Sequence, residues 1–234
     1  MAIFFVIFII PLTICALFNS LHRVGLWINF LWAKGFFRLA FFPVDEEWQF
    51  KPDKNQQYIL CANHFSYLDI PALALFPRPF KFVGKSQLAQ IPFFGIMYKK
   101  IHITVDRANY KSRAASLQKA RKQLRNGYSL GFFPEGGIVS EKLPEVAPFK
   151  YGAFNLSTEA QVPIVPVTFL DNYKILADDE IMNIRRRPCR IIYHAPIFPE
   201  GHSEEAVKVL REKVHQTIQQ ALEQDAAVVA ENQI

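Results

Sequence analysis

After Pro43 the sequence alternates between short apolar runs and longer amphipathic stretches, and this alternation constrains the fold more than any other feature. Short apolar runs are typical of buried strands, while the stretches between them suit helices that connect parallel strands. The alternation therefore predicts an α/β domain with a mixed, mostly parallel sheet flanked by helices. We expect strands at residues 58–62, 80–83, 101–105, 129–133, 163–169 and 190–194.

Two amphipathic stretches predict helices of this domain. Residues 111–126 carry apolar side chains at helical spacing with basic residues opposite, and Gly127 follows as a stop signal. Ser203, followed by two glutamates, predicts the start of a C-terminal helix that packs on the sheet. Residues 226–234 offer no anchor to the core, so we expect this end of the chain to fray.

The first 43 residues differ in character from the rest and predict a membrane-anchoring unit, followed by a second domain at residues 44–234. Residues 2–18 carry no charge and lie at the lower end of the roughly 17 to 25 residues that cross a bilayer. Residues 26–44 mix Trp and Phe with Lys34 and Arg38, which is typical of a helix in the headgroup region.

These two stretches predict a helical membrane-binding hairpin in one leaflet, or a spanning helix followed by an interfacial one. No basic residue precedes the first stretch and no small-residue cleavage site follows it, which argues against a cleaved signal peptide. The basic residues that follow the first stretch place the remainder at the cytoplasmic face of the inner (plasma) membrane. Two buried core helices are the alternative interpretation.

The formal net charge of +6 favours an anionic partner, which includes nucleic acid, an anionic membrane and a phosphorylated substrate. No nucleic-acid reading motif is present, and we predict no nucleic-acid partner. The three cysteines, Cys15, Cys61 and Cys189, form no CxxC pair. They indicate neither a disulfide framework nor a metal site, and they fit a reducing compartment.

Residues 63–69, with the sequence NHFSYLD, follow a predicted strand and carry His64 and Asp69. A histidine at a strand end is held by a rigid scaffold while it stays open to a cleft. Asp69 can return across the next turn, bond to one ring nitrogen and leave the other nitrogen to accept a proton. A purely structural hydrogen bond is the alternative, and Cys61 is interpreted as a small core residue rather than a nucleophile.

Two further segments carry groups that suit an anionic ligand. Residues 132–137, FFPEGG, follow a predicted strand, and paired glycines let a backbone approach a ligand and present N–H groups to an anion. A simple turn is the alternative. Arg107 follows the predicted strand at residues 101–105, and a guanidinium can hold a phosphate through two parallel hydrogen bonds. An ordinary surface ion pair is the alternative.

Taken together, the segments NHFSYLD, KSQLAQIPFFG with VDR, FFPEGG and VPIVPV resemble the glycerolipid acyltransferase family to which 1-acylglycerol-3-phosphate acyltransferases belong. The resemblance extends over about residues 57–170. It implies an O-acyltransferase that moves a fatty acyl group from an acyl-CoA or acyl carrier protein thioester to the free hydroxyl of a lysophospholipid. The acceptor implied is 1-acylglycerol-3-phosphate, the product is phosphatidate, and no cofactor or metal is implied.

The resemblance also implies roles for particular residues. His64 is the general base, Asp69 orients its ring, and the alkoxide attacks the thioester without an acyl-enzyme. The substrate-binding residues implied are Asn63, Lys85, Arg107, Glu135, Gly136, Gly137 and Pro163.

The chain departs from the family after Phe-Pro-Glu-Gly. Glycerophosphate-specific members continue with Thr-Arg-Ser, whereas Gly137, Ile138 and Val139 stand here. Either Lys142 or Lys150 supplies the missing cation, or the acceptor is a lyso-aminolipid whose head lacks a phosphate. A catalytically silent, lipid-binding membrane protein is the second hypothesis, and the intact catalytic residues argue against it.

Overall fold

The structure, a computed structural model, describes residues 2–85, 94–106, 109–177 and 184–231, and of residues 2–6, 85, 94 and 110 it describes the backbone alone. Its helices are α1 (Ala2–Leu17), α2 (His22–Leu39), α3 (Asp69–Leu73), α4 (Phe94–Ile101), α5 (Tyr110–Arg125), α6 (Gly152–Ala160), α7 (Asn172–Ile175) and α8 (Glu204–Glu231). A 3-10 turn at Asn19–Leu21 joins α1 to α2.

Seven strands form one mixed sheet in the order β1-β7-β6-β2-β5-β3-β4. They are β1 (Val44–Trp48), β2 (Ile59–Ala62), β3 (Phe80–Lys85), β4 (Ile103–Val105), β5 (Ser129–Phe132), β6 (Ile164–Phe169) and β7 (Cys189–Tyr193). The five strands from β6 to β4 are parallel. Strand β7 is antiparallel to β6, and β1 is parallel to β7. The predicted mixed, mostly parallel sheet flanked by helices is confirmed.

Strand β2 lies at the centre of the sheet, and every one of its residues is buried. Its side chains alternate between two cores, with Ile59 and Cys61 on the side of α5, α6 and α8. Leu60 and Ala62 lie on the opposite side, with α2 and α3. A strand covered on both faces reads as a continuous apolar run, which is the pattern that predicted it.

The six predicted strands are confirmed, with bounds that shift by one or two residues, and one strand was missed. Residues 101 and 102 do not belong to β4, because Ile101 is the last residue of α4. Strand β1 was not predicted, since its sequence VDEEW is mostly charged. Its three central residues are exposed at the edge of the sheet, where only β7 pairs with it, so burial left no apolar pattern there.

Both predicted helices are confirmed as α5 and α8. The prediction that the chain frays after residue 225 is wrong for residues 226–231, because α8 continues to Glu231. Residues 232–234 lie outside the described chain. Intrahelical hydrogen bonds extend a helix that the core has already nucleated, even where its own side chains, such as Val228, are exposed.

The N-terminal helices α1 and α2 pack against each other and also against the rest of the protein. Ala33 and Phe37 of α2 belong to the core beneath the sheet, while Leu12 and Ala16 of α1 meet α4. The opposite side of α1 exposes large apolar residues at helical spacing, namely Ile7, Ile10, Ile14 and Leu17. Among the described residues, no helix combines the length and apolar character that crossing a bilayer requires.

Candidate active site

The polar residues of the candidate site lie at the carboxyl edge of the parallel strands. His64 follows β2, Glu135 follows β5, and Asn172 follows β6, so three neighbouring strands deliver them to one place. This edge is the usual ligand position in open α/β sheets, because loops of adjacent strands meet there above a rigid scaffold.

His64 and Asp69 form the predicted pair. Nδ1 of His64 donates to Oδ2 of Asp69 at 3.1 Å, and the His64 side chain is 12% exposed while that of Asp69 is fully buried. A carboxylate that accepts from Nδ1 selects the tautomer with its proton on that nitrogen. Within the described chain, Nε2 of His64 has no hydrogen-bond partner, and it is therefore the nitrogen left to accept a proton.

Asp69 accepts four hydrogen bonds in a buried position at the start of α3. Oδ2 accepts from the backbone N–H groups of Phe65 and Ser66, each at 2.8 Å, in addition to His64. Oδ1 accepts from Nδ2 of Asn172 at 2.8 Å. A carboxylate that takes several donors is held in one orientation, and its negative charge stays beside the imidazole ring.

Phe133, the residue directly after β5, covers one face of the His64 ring. The two ring centroids are 4.1 Å apart and the planes are inclined by 19°, which is a stacked arrangement. This contact restricts rotation of the imidazole, so the Asp69 bond and the Phe133 stack together define the direction of Nε2.

Glu135 of the FFPEGG segment bonds to the backbone of the His64 loop. Oε1 accepts from the N–H of His64 at 2.6 Å, and Oε2 accepts from the N–H of Ala147 at 2.9 Å. Burial raises the pKa of Glu135 to about 7; the two N–H donors lower it and the charge of Asp69 adds to the rise. Through its two hydrogen bonds the Glu135 side chain connects the segment after β5 to the His64 loop after β2.

Gly136 forms the turn that follows Glu135 and lies against Lys150. Its φ of +90° belongs to the left-handed region, and a Cβ there would meet Nζ of Lys150 at 2.3 Å. Its N–H donates to the carbonyl of Phe133, so it closes the turn. Lys142, the other lysine considered for the missing cation, is exposed and pairs with Glu145 at 2.6 Å. Gly137, the next residue, is buried.

The remaining predicted site residues are distributed unevenly. Asn63 is fully buried, and its amide donates to the carbonyl and accepts from the N–H of Phe169, at 3.1 and 2.8 Å. It thus joins the ends of β2 and β6, and a contact with substrate stays a prediction. Pro163 lies at the opposite edge of the sheet, where its carbonyl accepts from Ile59, the first residue of β2. The structure does not bring Pro163 to His64.

Two of the predicted cationic site residues, Lys85 and Arg107, lie partly or wholly outside the described residues. Lys85 is the last residue of β3 and its backbone lies at the carboxyl edge beside Val105, but its side chain is outside the described part. Arg107 lies outside the described residues altogether.

Sequence reasoning missed Asn172 and did not assign Phe133 to His64. Asn172 is separated from Asp69 by about a hundred residues, so no local spacing connects the two. The signal that was available is its position directly after the predicted strand at residues 163–169, since polar residues at the carboxyl ends of adjacent strands converge.

Two cavities differ in character, and within the described part of the chain neither is lined by any of the predicted site residues. An apolar cavity of about 90 Å³ lies between the N-terminal helices and α3, β3 and α4, and Ile70, the residue after Asp69, is part of its wall. A larger polar cleft of about 740 Å³ lies elsewhere, between β1, β7 and α8, and contains none of the predicted site residues. The larger volume therefore does not mark the chemistry, which requires convergent reactive groups.

The cysteines are all buried, and burial raises the thiol pKa of Cys61 and of Cys189 above the ordinary range. A buried, protonated thiol is a poor nucleophile. No cluster of metal-ligating side chains occurs in the described part of the chain.

Comparison with known proteins places these features in a family. The family profile described as Acyltransferase matches residues 45–170. A 1-acyl-sn-glycerol-3-phosphate acyltransferase of Chlamydomonas reinhardtii is 32% identical over 164 residues, which are 70% of this chain and 48% of that protein. A probable enzyme of the same name from Mycoplasma pneumoniae is 31% identical over 60% of this chain and 57% of its own length.

The fold agrees with these similarities. The crystal structure of PlsC, the 1-acyl-sn-glycerophosphate acyltransferase of Thermotoga maritima, superposes with a TM-score of 0.73 and 25% identity, covering 89% of this chain and 83% of PlsC. The chain spans about half the length of the curated relatives it matches. The matched profile covers more than half of the chain and includes the His64–Asp69 pair, and the chain belongs to the acyltransferase family.

Proposed function

We propose that this protein transfers a fatty acyl group from an acyl thioester, carried by coenzyme A or acyl carrier protein, to the free hydroxyl of 1-acyl-sn-glycerol-3-phosphate, giving phosphatidate. The observation that carries the proposal is the His64–Asp69 pair at the carboxyl edge, with Nδ1 bonded to Asp69 at 3.1 Å and Nε2 unpartnered among the described residues. The choice of 1-acyl-sn-glycerol-3-phosphate as acceptor is supported by the names of the similar proteins.

In this mechanism Nε2 of His64 takes the proton of the acceptor hydroxyl as its oxygen attacks the thioester carbonyl. The C–O bond forms, the tetrahedral intermediate collapses, and the C–S bond breaks. The thiolate leaving group then receives the proton from His64. Asp69 stabilises the imidazolium that exists between these two transfers, as a buried carboxylate beside Nδ1 does in hydrolytic triads.

Direct transfer without an acyl-enzyme fits the nucleophilic side chains near His64. Cys61 is fully buried within β2, so its thiol does not reach the site. Ser66 is also buried, and its hydroxyl donates to the carbonyl of Leu176 at 2.6 Å. Neither side chain is presented to a substrate, so the acceptor oxygen itself is the attacking group.

The acceptor phosphate is assigned to Lys150, with Arg107 as a second cation predicted from the sequence. Lys150 is exposed, and its ammonium lies against the Gly136 turn, next to the residue that binds the His64 loop. A cation in this position substitutes for the arginine that glycerophosphate-specific members carry after Phe-Pro-Glu-Gly. Lys142 is less suitable because Lys150, and not Lys142, supplies the atoms that lie nearest to the Gly136 turn.

Part of the acyl chain is assigned to the apolar cavity bordered by Ile70, whose volume of about 90 Å³ holds only a few methylene groups. Its wall is formed by apolar residues of both N-terminal helices and of the α/β domain, among them Leu12, Trp32, Phe82 and Met97. A hydrocarbon chain in this cavity is removed from water at the interface between the N-terminal helices and α3 and α4.

The protein is proposed to act at the cytoplasmic face of a membrane. The exposed apolar side of α1, formed by Ile7, Ile10, Ile14 and Leu17, suits insertion into the headgroup and acyl boundary. Helix α5 contains six basic and no acidic residues, which suits an anionic lipid surface. Arg23 of α2 donates to the carbonyl of Asn126 at 3.2 Å, so the end of α5 adjoins the hairpin.

A second candidate is acylation of a lyso-aminolipid that lacks a phosphate. The observation that favours it is the segment Gly137, Ile138 and Val139, where no cation stands and Val139 is exposed. This candidate keeps the same base and the same donor and changes the acceptor alone.

The test is transfer of a labelled acyl group from acyl-CoA and from acyl carrier protein to lysophosphatidate and to phosphate-free lyso-aminolipids. We expect phosphatidate from lysophosphatidate, and His64→Ala should abolish transfer while the protein stays folded and vesicle-bound. Product on the phosphate-free acceptor alone would support the second candidate. Vesicle binding by the wild type with no transfer to any acceptor would identify a silent lipid-binding protein.

A further inference from the structure

The connection from β6 into α7 lies against the loop that carries His64. Ser66 donates to the carbonyl of Leu176, directly after α7, at 2.6 Å. The rings of Phe65 and Tyr173 meet edge to face, with centroids 5.9 Å apart. Both contacts are made by residues that follow Asn172, and neither involves its side chain, so the loop and α7 are held together independently of that side chain.

Asn172 reaches from α7 to the catalytic pair and is 1% exposed. Its Nδ2 donates to Oδ1 of Asp69 at 2.8 Å, on the carboxylate oxygen that the His64 loop does not use. Its Oδ1 accepts from the thiol of Cys189, at the start of β7, at 2.9 Å. A carboxylate oxygen accepts, so the amide is oriented with its NH₂ group toward Asp69 and its oxygen toward the Cys189 thiol, whose pKa is raised by burial and which therefore keeps its proton.

Helix α7 is itself fixed to the sheet by charge. Asp171 bonds to Nε of Arg190 on β7, and Arg190 forms a bidentate pair with Asp225 of α8 at 2.6 and 3.0 Å. Burial works to raise the pKa of Asp171, but the hydrogen bonds from Arg190 and Lys174 outweigh it and lower that pKa. Asp171, the residue before Asn172, is therefore anchored directly to β7 and, through Arg190, to α8.

We infer that Asn172 is a positioning residue for the acyl transfer, which holds Asp69 in the orientation that serves His64. The inference rests on the proposed function for its catalytic consequence. Backbone donors fix one oxygen of Asp69, and a carboxylate held by one oxygen alone can still swing about that point. The amide of Asn172 holds the second oxygen, which sets the direction in which Oδ2 meets Nδ1 of His64.

The first experiment compares Asn172→Leu with the wild type in the acyl-transfer assay. Leucine has a similar volume and no donor, so the substitution leaves Oδ1 of Asp69 buried without a partner. We expect kcat to fall by about tenfold to a hundredfold, the usual consequence of losing a hydrogen bond to a buried charge. The KM of both substrates should stay within about twofold of the wild type, because Asn172 touches neither in the proposed mechanism.

The matched control is Thr158→Val. Thr158 is also buried in a helix that flanks the sheet, and its hydroxyl has no hydrogen-bond partner in the described chain. This substitution changes a buried polar side chain to an apolar one without removing a bond, so kcat should not change. Thermal unfolding of each variant gives the folded fraction to which every rate is normalised.

The second experiment, Asn172→Asp, separates positioning from packing. At low pH the new carboxyl and Asp69 share one proton, and the resulting O–H donates to Asp69 in place of the amide. As the pH rises this proton is lost and two negative charges face each other. The kcat of N172D relative to the wild type should therefore decrease with rising pH, whereas the deficit of N172L should not depend on pH in this way.

A spectroscopic readout keeps the inference testable without substrate. In protein labelled with ¹⁵N-histidine, the hydrogen-bonded Nδ1–H of His64 gives a resonance that reports its bond to Asp69. We expect N172L to move this resonance and T158V to leave it unchanged. Wild-type protein that transfers no acyl group would refute the proposed function while this readout still tests Asn172. An unmoved resonance in N172L, or a kcat within twofold of the wild type after normalisation, would overturn the inference.

Discussion

Asp69 and Glu135 are both buried carboxylates that bind the His64 loop, and the structure holds them in different ways. Asp69 receives four donors, two of them from side chains, and one of these is the imidazole itself. Glu135 receives two backbone donors, and burial raises its pKa to about 7. Both side chains are buried, so burial does not distinguish their roles. The hydrogen-bond donors that surround each carboxylate do: Asp69 bonds to the imidazole of His64, whereas Glu135 bonds only to backbone N–H groups.

The largest expected effect is that of Asp69→Asn. The substitution keeps the shape of the side chain and removes the negative charge that selects the tautomer of His64. We expect kcat to fall by about a thousandfold or more, as when an aspartate that orients a catalytic histidine is neutralised. Acyl transfer measured under saturating substrates checks this expectation.

The double variant D69N/N172D sharpens that result. It restores an amide and a carboxylate that can bond to each other, but it moves the negative charge from the side chain that contacts His64 to the one behind it at position 172. We expect part of the stability lost in D69N to return while kcat stays low. Recovery of kcat to near the wild-type level would mean that geometry, and not charge beside the ring, is what Asp69 contributes.

Glu135→Gln tests the other carboxylate through pH. The folded-state pKa of about 7 lies above the ordinary value of 4.5, so the folded protein binds a proton that the unfolded chain releases between these values. Wild-type stability relative to E135Q should thus decrease as the pH rises from about 4.5 to 7, by roughly 3 kcal/mol. Chemical unfolding across this range measures it.

The same variant should lower kcat by about tenfold, because one N–H of its amide opposes a backbone N–H that the carboxylate accepted. A stability difference between wild type and E135Q that stays constant with pH would show that Glu135 does not titrate in this range.

The smallest effect is expected for Lys150→Ala. Lys150 is exposed, so its contribution to phosphate binding is screened by solvent. The KM for lysophosphatidate should rise by about threefold to tenfold, with kcat nearly unchanged. Lys142→Ala is the matched control, since Lys142 is another exposed lysine of this loop and does not lie against Gly136, and it should leave the KM unchanged. Equal effects of the two substitutions would remove the assignment of Lys150.

Much of the fold was predictable because its signals are local. Six largely apolar runs correspond to β2 to β7, and the central strands β2, β5 and β6 are buried at every residue, so their burial on both faces shows in the sequence. Strand β1 was not predicted because an exposed edge strand carries charged residues. It pairs with β7, whose residues are about 145 positions away in the sequence. The helical end of α8 was not predicted because the hydrogen bonds within a helix need no apolar pattern in the sequence.

The site divided in the same way. His64 and Asp69 lie five residues apart, so the geometry of one loop and one helical turn was enough to predict their bond. Glu135 was predicted to bind substrate, and the structure shows it bonded to the backbone of His64, a contact across 71 residues. Pro163 precedes a strand whose other end faces the site, and only the direction of β6 reveals this.

By itself, the sequence determined the α/β class, the basic character of α5, the apolar N-terminal unit and the His64–Asp69 pair, because each depends on composition or on neighbours within a few residues. Tertiary structure alone decided which oxygen of Asp69 meets which donor, that Phe133 covers the imidazole, and that Asn172 and Cys189 stand behind the pair. Those contacts depend on the order and direction of strands in the sheet, which bring together residues that no local pattern relates.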